Sequence, residues 1–189
     1  MKTNILKTTL ILVLAISFAS FTTISEKKVT VKESTITWKG YKVTGEHEGT
    51  IALKEGTLIF EDDKLTGGSF VIDMTSIGST DLEGGMKAKL DGHLKSDDFF
   101  GVEKFPTAML KITKVGGDGK MYKVTGDLTI KGITNSITFD LKMSDSKAAA
   151  NLKIDRSKFD VRYGSTSFFD DLKDKAIYDE FDLNVNLIF

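Results

Sequence analysis

The stretch "YKVTGDLTIKGITNSITFDLKM", Tyr122–Met143, decides the fold. In its first half Tyr122, Val124, Leu128 and Ile130 fall on one face, and Lys123, Thr125, Asp127, Thr129 and Lys131 on the other. In its second half Ile137, Phe139, Leu141 and Met143 alternate with Thr138, Asp140 and Lys142. A period of two with one wet face predicts half-buried antiparallel strands. Between the halves, "GITN" (Gly132–Asn135) supplies a hairpin turn.

Working outward, Phe181, Leu183, Val185, Leu187 and Phe189 alternate with Asp182, Asn184 and Asn186. The same reading predicts strands near 34–42, 47–54, 56–61, 66–74, 107–115, 120–131, 135–144, 148–155, 158–163 and 179–189. "GGDG" (Gly116–Gly119) reads as a hairpin loop, and Gly45 and Gly49 around His47 as a bulge or sharp bend. Only 80–105 and 166–178 break the β pattern. In the first of these Met86, Leu90 and Leu94 recur at helical spacing, which predicts a short helix within residues 82–98. This many hairpin-linked strands in one domain leave a closed barrel or a two-sheet sandwich. The outward faces carry Lys, Asp, Thr and Asn, the reverse of an outer-membrane barrel, so no stable membrane insertion is expected.

The chain opens "MKTNILKTTLILVLAISFAS". Basic Lys2 and Lys7, a short apolar run and a small-residue exit predict a signal peptide over 1–19, cleaved near Ala19 or Ser20. The run is shorter than the roughly 20 residues of a spanning helix. Residues 20–28 then read as a loose leader and 29–189 as a single domain. The whole chain carries 26 basic and 27 acidic residues. Loss of Lys2 and Lys7 leaves 24 against 27, a mild charge that argues against a nucleic-acid partner. With no cysteine, disulfides, thiolate catalysis and cysteine-bound metals are excluded.

Catalytic and metal patterns are missing. His47 and His93 lie in different segments at no metal-ligand spacing. No Gly-x-Ser-x-Gly elbow, phosphate loop or dinucleotide fingerprint occurs, and no cofactor is expected. The acid pairs Asp62-Asp63, Asp97-Asp98 and Asp170-Asp171 read as solvated loops. What remains is apolar. Of 13 phenylalanines, five (Phe99, Phe100, Phe105, Phe168 and Phe169) fall in the two irregular segments. A loop keeps such rings only over something apolar, so the Phe99-Phe100 and Phe168-Phe169 pairs are read as lids on one opening.

The motifs "TWKGYKVTGEHEGTI", "GGSFVIDMTSI", "LDGHLKSDDFFGVEKFPTAML", "VTGDLTIKGIT" and "IDRSKFDVRYGS" occur in this order. Together they resemble the YceI-like family of exported bacterial proteins, from about Ile36 to Phe189. The resemblance implies an all-β, lipocalin-like, extended eight-stranded antiparallel barrel. It also implies a long isoprenoid or similar amphiphile inside, no catalysis, and a periplasmic or secreted location. On the matching positions Asp97 and Asp98 face water, Phe99 and Phe100 turn inward, and Pro106 starts the next strand.

A dry interior is expected from Ile36, Trp38, Phe70, Ile72, Met74, Val124, Leu128, Ile130, Ile137, Phe139 and Leu141. The candidate ligand contacts are Trp38, Phe70, Ile72, Met74, Leu90, His93, Leu94, Phe99, Phe100, Phe105, Leu128, Ile130, Phe139, Arg156 and Phe159. Met74, Met86, Met109 and Met143 suit a pocket that adapts to a flexible tail. Burial of a hydrocarbon chain stabilises by about 0.8 kcal/mol per methylene, so a dozen contribute roughly 10 kcal/mol before ordering costs. For a polar head, Arg156 and Arg162 are the only arginines. The competing reading of Arg156 is an ion pair with Asp155 or Asp160; His93 is the other head contact. Two further functions stay open: a lipid-modifying enzyme using His47, Asp73 and Arg156, and a filled-core structural or interaction domain. A homodimer is among the assemblies the sequence allows.

Overall fold

The computed structural model describes residues 25–189. The expected signal peptide and the start of the leader lie outside them. Tyr122–Met143 folds as the hairpin its alternation demands: β6 (Met121–Ile130) pairs with β7 (Ile133–Ser144) without a break. Its two-residue turn puts Lys131 at φ 51° and Gly132 at φ 76°. Positive φ at both positions matches the right-handed twist of the flanking strands.

The remaining strands are β1 (Glu26–Thr30), β2 (Glu33–Lys42), β3 (Gly45–Glu61), β4 (Lys64–Ser79), β5 (Thr107–Asp118), β8 (Lys147–Asp155) and β9 (Ile177–Ile188). One helix, α1 (Gly84–Lys95), lies where the Met86/Leu90/Leu94 spacing predicts it. Strands β2 to β9 form an antiparallel meander, and β9 returns to pair with β2 from Glu33↔Ile188 to Lys42↔Ile177. The eight strands therefore close into a barrel. The extra strand β1 pairs with β3 through Glu26↔Glu61 to Thr30↔Thr57. It begins inside the segment read from sequence as leader.

Two sequence readings of strands are corrected. The segments 47–54 and 56–61 are one strand, β3. Inward residues are Ile51 and Leu53 before the join and Leu58 and Phe60 after it, a slip in phase. Leu53 pairs with Ile72 and Glu55 with Val71, leaving Lys54 as the extra residue of a bulge. A small barrel needs such bends to curl a long strand. A second slip, at Thr113 in β5, does the same against β6.

The segment 158–163 is not a strand. Arg156–Phe159 is a short 3-10 helix, started by Asp155, whose Oδ1 accepts from Ser157 N–H at 3.0 Å and Ser157 Oγ at 2.6 Å. It ends at Asp160, at φ 58°. The apolar alternation of Phe159 and Val161 has another cause: both are buried against one end of the barrel.

Helix α1 covers that same end. Asp91 Oδ1 accepts from Ser79 N–H at 2.7 Å and Ser79 Oγ at 2.8 Å, and Lys87 Nζ lies 2.9 Å from Asp91 Oδ2. Burial opposes the Asp91 carboxylate, but the Ser79 and Lys87 donors outweigh it and hold its pKa below the ordinary value. Only Leu94 of the helix is buried; Met86 is exposed.

Candidate ligand-binding site

Buried side chains gather into two groups. One, at the α1 end, includes Trp38, Met74, Leu94, Phe99, Phe100, Leu128 and Ile154. The other, at the far end, includes Leu58, Tyr122, Val124, Leu141, Met143 and Leu187. Between them the barrel is not filled. A cavity of about 190 Å³ is lined from both groups and from every strand of the closed barrel. Ile51, Leu53, Ile72, Leu110, Ile137, Phe139, Leu152, Leu183 and Val185 point inward and line it, yet are only half-buried. An inward side chain stays half-buried where it faces empty space rather than a packed neighbour.

The α1 end is closed by the segment after the helix. Phe99 N–H donates to Ser96 O at 3.0 Å and Phe100 N–H to Leu94 O at 3.2 Å. This tight turn swings both rings inward, where they meet edge-to-face at 5.0 Å and line the cavity. Asp97 stays exposed and pairs with Lys104 at 2.6 Å. Pro106 precedes β5, and its carbonyl accepts from Met74 N–H at 3.0 Å.

Trp38, Phe70, Ile72, Met74, Leu94, Phe99, Phe100, Leu128, Ile130, Phe139 and Arg156 line the cavity. Four other expected contacts do not. Leu90 packs on the α1-end group from the helix. The His93 ring meets Tyr163 at 4.3 Å and Phe99 at 5.7 Å, and its buried Nε2 has no hydrogen-bond partner among the described residues. Phe105 lies against Gly132 at the β6–β7 turn. Phe159 is fully buried, behind the cavity wall. Of the expected interior set only Val124 is packed away from the cavity, at 0% exposure.

Several other expectations are corrected. Phe168 and Phe169 are exposed and do not cover the opening; Arg162 lies 5.0 Å over the Phe168 ring. Met86 and Met109 sit outside the barrel, and of the four methionines only Met74 lines the cavity. Gly49 is no bend: the Trp38 indole lies so close that a Cβ there would be 2.6 Å from the ring. Trp38 Nε1 donates to Thr50 O at 3.2 Å.

Among the described residues Arg156 is the one charged side chain on the cavity wall, and it is 2% exposed. Its Nη1 donates to Val161 O at 2.8 Å, Nη2 to Ile177 O at 3.0 Å and Nε to Tyr178 O at 3.2 Å. Its ionic partner is Asp179, at 3.5 Å, in place of the expected Asp155 or Asp160. Burial pushes the guanidinium below its ordinary pKa, while Asp179 and Asp155 pull the other way. Arg156 thus ties the 3-10 helix to the start of β9, where β8 has already left the sheet.

The residues considered for catalysis do not converge. His47 Nδ1 pairs with Asp81 Oδ2 at 2.8 Å, and Asp73 Oδ1 accepts from Thr75 Oγ1 at 2.6 Å. Neither lines the cavity. Among the described residues no three His, Asp or Glu side chains are grouped to hold a metal ion, and no helix is long and apolar enough to cross a membrane.

Period-two alternation identifies most of the lining that the candidate set left out, such as Leu152 and Ile154 on β8 and Leu183 on β9. Gly40, in phase with Ile36 and Trp38, also lines the cavity, as do Tyr41 and Tyr178, which are out of phase with the inward residues of their strands.

The fold and cavity define a closed antiparallel β-barrel with an unfilled apolar chamber. The chain belongs to the YceI-like domain family, whose sequence profile matches residues 25–189. It is 33% identical over 100 residues to Protein YceI of Escherichia coli O157:H7, covering 50% of this chain and 48% of that protein. The matched stretches span about half the length of such relatives or less, with 29% for a UPF0312 protein of Photorhabdus laumondii. Among solved structures, Burkholderia cenocepacia BcnA aligns with a TM-score of 0.65 at 21% identity, over 82% of this chain and 96% of that one. A polyisoprenoid binding domain from Saccharophagus degradans, implicated in plant cell wall breakdown, aligns with a TM-score of 0.56 at 13% identity. That alignment covers 87% of this chain and 97% of the other. At these identities the likeness is one of fold.

Proposed function

We propose that this protein binds a long-chain isoprenoid, isoprenoid quinone or fatty amphiphile in its barrel and carries or stores it, without catalysis, in the periplasm or outside the cell. The observation that carries the reading is the unfilled apolar interior. An apolar cavity of about 150 Å³ already takes up benzene, and this one, at about 190 Å³, runs between the two ends of the barrel. Its lining offers contact to methylene groups and almost nothing to a polar reactant, so affinity must come from apolar burial. Membership of the YceI-like family and the fold shared with a polyisoprenoid binding domain support the same reading. An enzyme would need a base and a second polar group in reach of the substrate; among the described residues Arg156 is the one charged group on the wall, and the two tyrosines there, Tyr41 and Tyr178, point outward. A filled-core domain would have no such space. The export reading rests on the opening "MKTNILKTTLILVLAISFAS".

The test is to purify the protein from its source, extract it with organic solvent and identify the released molecules by mass spectrometry. The reading expects a stoichiometric apolar chain. Protein that yields none, and takes up none when offered, overturns it.

A further inference from the structure

The cavity lining includes residues of the barrel's outer face at one place on its side. On β2, Ile36, Trp38 and Gly40 point inward, and Tyr41 points outward, its hydroxyl donating to Asp182 Oδ2 at 2.6 Å. Yet Tyr41 borders the cavity. So does Tyr178, which is 55% exposed and, among the described residues, the one exposed residue on the wall. A residue whose side chain points outward borders the interior through its backbone or through a break in the wall, and the β2–β9 pairing is interrupted at this place.

Strand pairing places the break. Gly40 pairs with Phe181 and Lys42 with Ile177, so Tyr41 alone spans the three residues Tyr178–Glu180. On its other side β9 loses β8 at the same place, the last pair being Asp155↔Glu180. Gly40 adds no side chain, and a Cβ built there meets no atom within 4 Å. The head group has little reason to follow the tail inside. Among the described residues Arg156 is the only cation within, each of its three nitrogens already donates to a backbone carbonyl, and Asp179 lies beside it.

We propose that this gap between β2 and β9 is the port through which a single-chain amphiphile enters tail first, its polar head held in water at the Tyr41–Tyr178 rim. The proposal deepens the carrier reading and rests on it. Tyrosine rings suit such a rim, since one end of each is apolar and the other wet.

The test measures the exchange of cis-parinaric acid, a fluorescent polyene chain, by stopped flow. Gly40→Phe should slow uptake and release together by about tenfold or more; a ring that only took up chamber space would weaken binding and speed release instead. Tyr178→Ala should speed both. As a second variant, Gly40→Cys introduces the chain's only thiol. That thiol should react with a water-soluble maleimide in delipidated protein, be protected by bound cis-parinaric acid, and give slow exchange once a bulky maleimide is attached. Wild-type exchange in Gly40→Phe or in the thiol-blocked protein, or an unreactive thiol in the delipidated form, overturns the port. Wild-type protein that neither takes up the probe nor holds extractable lipid defeats the carrier reading instead.

Discussion

Replacing Arg156 with Met should cost this barrel more than any other single change to its cavity wall. The substitution keeps most of the side-chain length and removes every donor. Three carbonyl oxygens, of Val161, Ile177 and Tyr178, lose donors now at 2.8, 3.0 and 3.2 Å. Asp179, whose side chain is only 16% exposed, loses its ionic partner. Removing one member of a buried pair typically costs about 3–5 kcal/mol, because the other is left charged without compensation. Three orphaned carbonyls put the loss at the upper part of that range. For a domain of this size about 1 kcal/mol moves Tm by roughly 2–4 °C, so a loss of about 4–5 kcal/mol should lower Tm by about 8–20 °C. The assay is urea and thermal unfolding of delipidated protein, with coincident near- and far-UV dichroism as the two-state check. Arg156→Met/Asp179→Leu should recover part of the loss, since the uncompensated carboxylate is gone. A loss below about 1 kcal/mol, or no recovery in the double variant, would refute the assignment of Arg156 as the tie between the 3-10 helix and β9.

Ala150 lines the cavity between Leu141 of β7 and Val185 of β9; Ala150→Phe should fill the chamber, leave Tm near wild type and weaken chain binding by about tenfold or more in fluorescence titration. Gly49→Ala would put a methyl 2.0 Å from Gly78 O and 2.6 Å from the Trp38 ring; the expected loss is about 1–3 kcal/mol, with a shift in the emission of the single tryptophan. The folded pKa of Asp91 is depressed below the ordinary aspartate value by its Ser79 and Lys87 donors. Its contribution is therefore present above that value and lost as pH falls through the lower, folded one. Acid urea titrations should show wild-type stability falling below about pH 4, and Asp91→Asn should flatten that part of the profile.

The barrel was legible because each strand has one wet face, so alternation names the inward residues without knowledge of the partners. That logic placed Leu128, Ile130, Phe139 and Ile137 on the cavity wall. It misread 158–163, where Phe159 and Val161 alternate because a capped 3-10 turn presses both onto the barrel end. It split β3 at Lys54, since a bulge reverses the phase of the pattern as a loop would. Nearness in sequence was a poor guide around Phe99. Residues 93–105 fold by local hydrogen bonds that turn Phe99 and Phe100 in and carry His93 and Phe105 elsewhere. The proposed opening was only half marked: Gly40 keeps the inward phase of Ile36 and Trp38, while nothing in the sequence marks Tyr41 and Tyr178. It arises from a missing rung between β2 and β9, strands far apart in the chain, and no local period records it.

The most direct measurement is the affinity of delipidated protein for a series of straight-chain alcohols of increasing length, by titration calorimetry at several temperatures. A chain swallowed by the chamber gains about 0.8 kcal/mol, roughly fourfold in Kd, with each added methylene until the space is full. Its heat-capacity change grows more negative in step. Affinity that does not depend on chain length, with no trend in heat capacity, would contradict an interior site.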